Sequence, residues 1–342
     1  MGFGSFLVRR LLHSIVILIG LSMLIFVISR IMPGDPARLA LGARAPEEVV
    51  QQWRDWMHLD DPIHVQYYYW IRGALHGQLG QSLWTRRDVS IDIRTFLPAT
   101  MELVLFSGLI MAVFGILLGA LSARYSNTWV DNAVRLGTYF GVATPAFVVA
   151  IFLLLLFAYL LRILPSMGRL DPSIVKPPLR TGLLVVDSIL AGNGTALLDS
   201  LKHLILPAVA LALGGMAQEA RITRSSMSDN LLKDYIAVER SQRIPPRVIN
   251  LKYLLKPSLI PTVSILGLDF AAMLSNAFLV ELIFGWPGLS RYGVEAMVRK
   301  DINAVTGVIL VMGVLFITVN IIVDIVVGYL DPRIRLRMAG RK

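Results

Sequence analysis

Asp269 is the residue whose position most suggests chemistry, because its carboxyl group stands near the middle of an otherwise apolar stretch. Ionisable side chains inside such stretches are costly, so each one needs an explanation. The carboxylate could contact a cationic group of a passing substrate, such as the amine of a peptide. A structural hydrogen bond with Asn276, Asn320 or Ser264 is an equally good explanation.

Three further acids lie in apolar stretches, and all three favour structural roles. Glu102 and Glu281 stand near the ends of their stretches, where we expect them to reach water. Asp324 is followed closely by a charged tail, which indicates a residue that pairs helices or assists folding.

The sequence offers no catalytic or cofactor-binding constellation. It contains no G-x-x-x-x-G-K-[ST] motif, so any ATP that drives the protein must bind to another subunit. The 5 histidines are scattered, and the absence of cysteine excludes disulfides and thiolate metal sites. Gly20-Leu21-Ser22 and Gly288-Leu289-Ser290 resemble serine nucleophile contexts but lack an identifiable base. We therefore expect neither an enzyme nor a bound cofactor or metal.

Long apolar helices must position these residues. The chain is 55% hydrophobic and 16% charged, a composition typical of membrane proteins rather than of soluble enzymes. A bilayer core needs about 20 apolar residues per helix. Pro145, Pro207 and Pro261 are expected to kink the third, fourth and fifth of the predicted spans. The spans are Leu11–Ile28, Met101–Leu121, Val134–Leu161, His203–Met216 with an extension to about Arg221, Leu259–Phe284 and Val305–Leu330.

The positive charges predict the orientation of these spans. About half of the 33 lysines and arginines fall in 1–10, 124–135, 221–256 and 331–342, which places both termini in the cytoplasm. The net charge of +10 is thus a record of topology and does not indicate nucleic acid. Met32–Pro98, which is rich in tryptophan and tyrosine, lies outside, with a helix that opens at Pro46-Glu47-Glu48.

The longest cytoplasmic segment, 221–256, is predicted to fold as two helices. The first extends to about Gln242, Pro245-Pro246 breaks it, and a short second helix covers Arg247–Lys256. Its charges alone are explained by topology. Its apolar positions can pack the two helices together or fill a groove on a partner; they are Tyr235, Ile236, Val238, Val248, Ile249, Leu251 and Leu254.

This segment resembles the EAA loop of bacterial ABC importer permeases, specifically the B-type permease of dipeptide and oligopeptide systems. The resemblance covers nearly the whole chain, and the order of many weak motifs makes it specific. They are Met32-Pro33-Gly34-Asp35-Pro36, Pro62-Ile63-His64-Val65-Gln66-Tyr67, Gly77-Gln78-Leu79-Gly80-Gln81-Ser82, Pro98-Ala99-Thr100-Met101-Glu102, Thr144-Pro145-Ala146-Phe147, His203-Leu204-Ile205-Leu206-Pro207-Ala208, Asp234-Tyr235, Leu259-Ile260-Pro261, Trp286-Pro287-Gly288-Leu289, Val319-Asn320 with Asp324, and Leu330-Asp331-Pro332-Arg333.

The resemblance implies an all-α polytopic protein of the type I importer fold, with six transmembrane helices. It divides the chain into a cytoplasmic tail with the first helix (1–31), an extracytoplasmic segment (32–97), a transmembrane domain (98–330) that includes the coupling loop (221–257), and a cytoplasmic tail (331–342). The family's loop contacts the ATPase. The positions carried over to this loop are Asp234, Tyr235, Ala237, Val238, Glu239, Arg240, Arg243, Pro245, Pro246 and Arg247.

The implied partners are a homologous C-type permease, two ABC ATPase subunits that bind ATP and Mg²⁺, and an extracytoplasmic substrate-binding protein in a bacterial inner membrane. The implied activity is import of di- or oligopeptides by alternating access. Permeases of this type also import nickel, opines or oligosaccharides. From composition alone, an ion-coupled secondary transporter is the alternative, but only Asp269 offers the midplane charges that it needs.

One position departs from the family pattern. The E-A-A triplet aligns with Ala237, Val238 and Glu239, and the glycine that follows it aligns with Arg243. Glycine permits positive φ at such a turn, whereas arginine adopts it only at a cost. We therefore expect Pro245-Pro246 to shape the turn instead, and the guanidinium to be available to a partner carboxylate.

Overall fold

The computed structural model describes residues 3–31, 36–42, 44–56 and 58–330, and within these ranges the chain is helical. The predicted tail, 331–342, and the Met32–Asp35 part of the first motif lie outside the described residues. An isolated antiparallel bridge joins Gln81 to Asp88. The helices are α1 (Phe3–Ile31), α2 (Pro36–Leu41), α3 (Glu47–Trp56), α4 (Ile63–Leu75), α5 (Val89–Arg124), α6 (Trp129–Ala143), α7 (Ala146–Leu153), α8 (Leu184–Leu190), α9 (Gly194–Leu231), α10 (Asp234–Ser241), α11 (Pro246–Val248), α12 (Lys256–Ile283), α13 (Leu289–Val298) and α14 (Ile302–Leu330), with π-helical turns at Leu154–Leu160 and Ile249–Leu255.

The six predicted apolar segments correspond to helices of the structure. In the described part of the chain, 5 helices are long and apolar enough to cross a membrane, and a bent pair brings the number to 6. In that pair α6 and the helix from Ala146 to Leu160 meet at 109°. Pro145 is the residue before α7, where its missing amide and restricted predecessor end the helical run. The predicted break at Pro145 is therefore confirmed.

Two span lengths were underestimated from the sequence. The fourth span is part of α9, which has 38 residues and continues through Pro207. The helix of the fifth span begins at Pro246 and continues through Pro261. Polar residues at both ends of these helices concealed their length, because hydropathy detects only the apolar part of a helix.

Compact packing divides the chain into two units. The first contains 1–8, 98–287 and 318–342, and the second contains 9–97 and 288–317. In the first unit α9 is the central helix, packed against α6, α7, α8 and α12. Gly119 lets α5 approach α9 closely, because a Cβ there would lie 2.5 Å from the carbonyl oxygen of Ala220.

Buried polar contacts connect α5 to other elements of the first unit. Glu102 forms an ion pair with Arg169 and accepts a hydrogen bond of 2.7 Å from the amide of Val185. Glu281 is fully buried and accepts a hydrogen bond of 2.6 Å from the hydroxyl of Thr100. The expectation that these two glutamates reach water is thus wrong, since Glu102 is only 7% exposed and packing removes both from solvent. Both contacts agree with structural roles for the two glutamates.

The second unit has its own core around Tyr292. The ring stacks against Trp84 and Phe96, with centroids 5.9 and 5.0 Å away. Its hydroxyl donates to Asp92 over 3.0 Å, and burial raises the pKa of Tyr292 well above its usual range. Asp301 accepts a hydrogen bond of 2.6 Å from Ser82. The helix predicted to open at Pro46 is α3, which belongs to this unit.

Candidate functional site

The loop between α9 and α12 departs from the prediction of two separate helices. The predicted helix to Gln242 is wrong, because α9 ends at Leu231 and α10 begins at Asp234. The predicted short second helix is also wrong as an isolated element. From Pro246 the chain passes through the π-helical turn at Ile249–Leu255 directly into α12. The loop is therefore continuous with the fifth span.

Three of the loop's apolar residues anchor it to the helix bundle. Ile236 is 1% exposed and packs in one cluster with Ile249 and Leu254. Ala123 at the end of α5 and Met227 near the end of α9 complete this cluster. Because the cluster joins the loop to two long helices, the loop is held in place before any partner binds.

The other apolar residues of the loop face outward. Tyr235 is 39% exposed, Val238 51%, Val248 39% and Leu251 65%, and we call these four residues the loop patch. The packing alternative therefore holds for the buried set, and contact with a partner stays a prediction for the exposed set. Three arginines of the same loop are exposed as well; they are Arg240, Arg243 and Arg247. Exposed apolar side chains among charged ones are typical of protein-binding surfaces.

Arg243 keeps the backbone conformation that the family's glycine provides. Its φ is +53°, and the amide of Ile244 donates to the carbonyl of Glu239 over 3.3 Å while the amide of Arg243 donates to Arg240 over 3.0 Å. These are the two hydrogen bonds of a Schellman motif, which ends α10. The expectation that Pro245-Pro246 replace this turn is wrong. The prolines start the next helix, where a missing amide costs nothing.

A buried ion pair next to the loop was missed in the sequence. Asp131 is fully buried and receives Nε and Nη2 of Arg224 at 2.7 and 2.8 Å. The hydroxyl of Ser122 and the amide of Asn127 also donate to it, over 2.6 and 3.0 Å. The pair fastens α9 to the first turn of α6. Since its partners are separated by 93 positions, no local pattern signals it.

Asp269 lies on the wall of a cavity of about 430 Å³ between the α6–α7 break, α9 and α12. Its Oδ1 accepts a long hydrogen bond of 3.5 Å from Gln218, and its Oδ2 is buried without a hydrogen-bond partner among the described residues. Ser264 bonds the carbonyl of Ile260 instead, so it is not the partner that the alternative explanation required. Residues of the break, of α9 and of α12 line this cavity, among them Thr144, Pro145, Gly214, Asp269, Met273 and Asn276.

Glu219 is a second acid that the sequence analysis missed. It lies on α9 next to Gln218, is fully buried, and has neither carboxyl oxygen hydrogen-bonded within the described ranges. The apolar run of this span fades after Met216, which concealed it. The predicted extension of the span to about Arg221 includes Glu219, but the acids were counted only within the apolar runs. In the part of the chain that the structure describes, acids and histidines form no group that could hold a metal ion.

Comparisons with known proteins cover nearly the whole chain. Residues 3–104 match the N-terminal family model of binding-protein-dependent transport system membrane components, and residues 115–336 match the model of binding-protein-dependent transport system inner membrane components. A probable D,D-dipeptide transport system permease of Escherichia coli K12 is 39% identical over 98% of both chains.

Two further relatives also match over nearly the whole length of both chains. A dipeptide transport system permease of Alkalihalophilus pseudofirmus is 36% identical, over 97% of this chain and 99% of its own. A glutathione transport system permease of Salmonella typhimurium is 31% identical over the same shares. With its apolar helices, the chain is therefore a multi-pass inner-membrane protein, and it belongs to the family of inner-membrane permease components of binding-protein-dependent transport systems.

Proposed function

We propose that this chain forms half of the translocation pathway of an ATP-driven importer of di- and oligopeptides. The relatives described above carry dipeptides, D,D-dipeptides or glutathione by name, and all of these are short peptides. A second homologous permease completes the pathway. An extracytoplasmic binding protein delivers the substrate, and two ATPase subunits bind ATP and Mg²⁺.

The observation that carries the proposal is the division of the loop's apolar residues into an anchored set and an exposed set. Ile236 anchors the loop to the bundle, whereas Val238, two residues further along α10, is 51% exposed. Because the loop is anchored and its loop patch is exposed, another protein that binds the patch can move the helices to which the loop is attached. We propose that the ATPase binds the loop patch and that acidic side chains of the ATPase form ion pairs with the surrounding arginines.

The loop and the cavity belong to one helical segment, which supports a coupling mechanism. The segment Pro246–Ile283 carries Val248 and Leu251 of the loop patch at one end and Asp269 further along. Movement of the loop by the ATPase would shift the wall of the cavity. Alternating access then consists of two arrangements of the bundle, between which ATP binding and hydrolysis shift the population.

The orientation follows from the same assignment. If ATPases meet the loop, the loop and both termini lie in the cytoplasm, as the distribution of lysine and arginine predicts. The 32–97 segment then faces the binding protein. We assign Asp269 to the pathway, where its carboxylate contacts the amine of the passing peptide.

Co-purification with the ATPase tests the assignment of the loop patch. Val238→Asp puts a charge on the patch, and we expect the affinity-purified permease to lose its ATPase subunits. Val175→Asp is the matched control, because Val175 is 80% exposed in the connection between Leu160 and α8. Retention of the ATPase by both variants, at equal expression, would contradict the proposed contact.

A further inference from the structure

The helix α4 is unusual because none of its 13 residues is buried, although most of them are apolar or aromatic. Tyr68 and Leu75 are 57% and 80% exposed. A helix that lies on a water-soluble core would bury its apolar face there. The apolar side chains of α4 therefore need a partner that the described part of the chain does not provide.

Helical periodicity gives α4 two different faces. At about 3.6 residues per turn, the apolar and aromatic side chains share one face, with His64 among them. The opposite face carries Gln66, Tyr69 and Arg72. The residues of the apolar face are Ile63, Tyr67, Tyr68, Trp70, Ile71, Ala74 and Leu75. Tyrosine and tryptophan on one face and polar groups on the other are typical of helices that lie in the plane of a membrane surface.

Part of the apolar face packs on α1, and this contact fixes the depth of α4. The hydroxyl groups of Tyr67 and Ser22 lie 2.8 Å apart. The ring centroid of Phe26 lies 5.4 Å from that of Tyr67 and 5.6 Å from that of Trp70. The apolar span of α1 ends at Arg30. At about 1.5 Å per residue, Phe26 and Ser22 lie about 6 and 12 Å before that end. Interfacial helices bury their apolar face about 5–10 Å into the boundary between headgroups and acyl chains, which is the depth of this contact.

The medium around this part of α1 is lipid. Leu24 lies between the two contact residues of α1 and is exposed, as expected for a side chain that faces acyl chains. Tyr68 and Leu75 expose apolar surface on the helix that packs beside it. Arg72 is exposed next to the apolar face, where an arginine can lay its stem on apolar surface and reach a lipid phosphate with its guanidinium. The apolar face of α4 thus matches the surface of a bilayer in both depth and chemistry.

The opposite face of α4 holds the segment that precedes it. The amide of Gln66 donates hydrogen bonds to the carbonyl oxygens of Leu59 and Asp61, over 2.9 and 2.8 Å. Gln51 of α3 donates to Asp60 in the same turn, over 3.1 Å. These bonds connect α3 to the side of α4 that is turned away from the apolar face.

We propose that α4 is an in-plane membrane anchor, whose Tyr68 and Leu75 enter the bilayer surface at the C-terminal end of α1. The occupant of the apolar face is lipid, with acyl chains against these side chains and phosphates near Arg72. Because α1 sets the depth of α4 and lipid covers its other side, α4 supports α3 at a fixed height above the membrane. This support lies in the segment that the proposed function assigns to the binding protein, but the anchoring does not depend on the substrate.

Spin-label accessibility in the assembled importer tests the anchor directly. Because the chain contains no cysteine, Tyr68→Cys and Leu75→Cys each give a single labelling site, provided that the other subunits are used without cysteine. In lipid nanodiscs we expect both labels to collide more with oxygen, which concentrates in the bilayer, than with nickel ethylenediaminediacetate, which stays in water. Leu24→Cys on α1 is the reference for lipid, and Glu48→Cys, at an exposed position of α3, is the reference for water.

Two results would overturn the anchor. Preference for the nickel complex at either position of α4, as at Glu48→Cys, would show that the apolar face lies in water. Low accessibility to both oxygen and nickel at either position would show that a protein, such as the second permease, covers the face. Preference for oxygen at both positions, as at Leu24→Cys, is the result that the anchor requires.

The role of α1 is tested with the same label at Tyr68→Cys. Phe26→Ala removes the ring that contacts α4, so we expect the label to become more accessible to the nickel complex. Leu24→Ala is the matched control, because it shortens an exposed side chain of the same helix and should leave the accessibility unchanged. Equal accessibility in the two variants would contradict the statement that α1 sets the depth of α4.

Discussion

Replacement of Arg224 by methionine should destabilise the protein by leaving Asp131 without its cation. Asp131 is fully buried, whereas the side chain of Arg224 is 25% exposed. Methionine keeps much of the volume and apolar contact of the arginine stem but removes both donors. The change therefore isolates the ion pair between α9 and the first turn of α6.

The size of the effect follows from what remains around the carboxylate. Breaking a buried ion pair from one side costs about 3–5 kcal/mol. Asp131 keeps the hydroxyl of Ser122 and the amide of Asn127, at 2.6 and 3.0 Å, so we expect the lower end, about 3 kcal/mol. Asp131→Asn should cost less, because Arg224 can turn to water. The double variant should lose less free energy of unfolding than the two single variants lose together.

Thermal unfolding of the purified protein in detergent measures this prediction. A loss of about 3 kcal/mol should lower Tm by about 6 °C or more. Arg291→Met is the matched control, since Arg291 pairs with Glu295 at a more exposed site and should cost under about 1 kcal/mol. Equal Tm values for the two variants, or additive effects in the double variant, would refute the importance of the buried pair.

Further predictions concern the loop and α8. Arg243→Gly should raise stability by about 0.5–1 kcal/mol by relieving the positive φ, and Arg243→Ala should not; equal melting temperatures would contradict the strain. Ile236→Ala should cost about 2–4 kcal/mol and loosen the loop, seen as faster hydrogen exchange there, and protection at the wild-type level would contradict its anchoring role. Although burial alone would raise it, hydrogen bonds from Thr181, Gly182 and Arg180 lower the pKa of Asp187 below its ordinary value. The contribution of Asp187 to the free energy of unfolding is therefore complete above its ordinary pKa. It is lost as the pH falls through the lower pKa of the folded state. Asp187→Asn should reduce that acid-side loss in a pH series of melting temperatures, and an unchanged series would contradict it.

The apolar spans could be predicted because lipid imposes a strong and local signal, about 20 apolar residues per helix. The same signal explains the errors. It ended the apolar run of the fourth span at Met216 and the span at about Arg221, although α9 continues to Leu231, and Glu219 beyond the apolar run was not recognised as a buried acid. Nothing in the local sequence marks the helix break at Leu232, since neither glycine nor proline stands there.

The polar contacts depend on tertiary packing, which one sequence does not reveal. The sequence presents Asp131 and Arg224 only as charges of two segments predicted to be cytoplasmic. At Arg243 the residue type argued against a positive φ, but the hydrogen bonds at the end of α10 impose it. Asp269 was found because one carboxyl in an apolar run is conspicuous. The cavity that Asp269 faces could not be predicted, because it depends on the positions of α6, α7 and α9.

ATP-dependent dipeptide uptake by proteoliposomes tests the central claim most directly. The vesicles contain this chain with its second permease and ATPase subunits, and the binding protein is added outside with labelled L-alanyl-L-alanine. We predict uptake that requires both the binding protein and internal Mg-ATP, and that persists when ion gradients are dissipated. Uptake by this chain alone under an ion gradient, or uptake indifferent to ATP, would contradict the account.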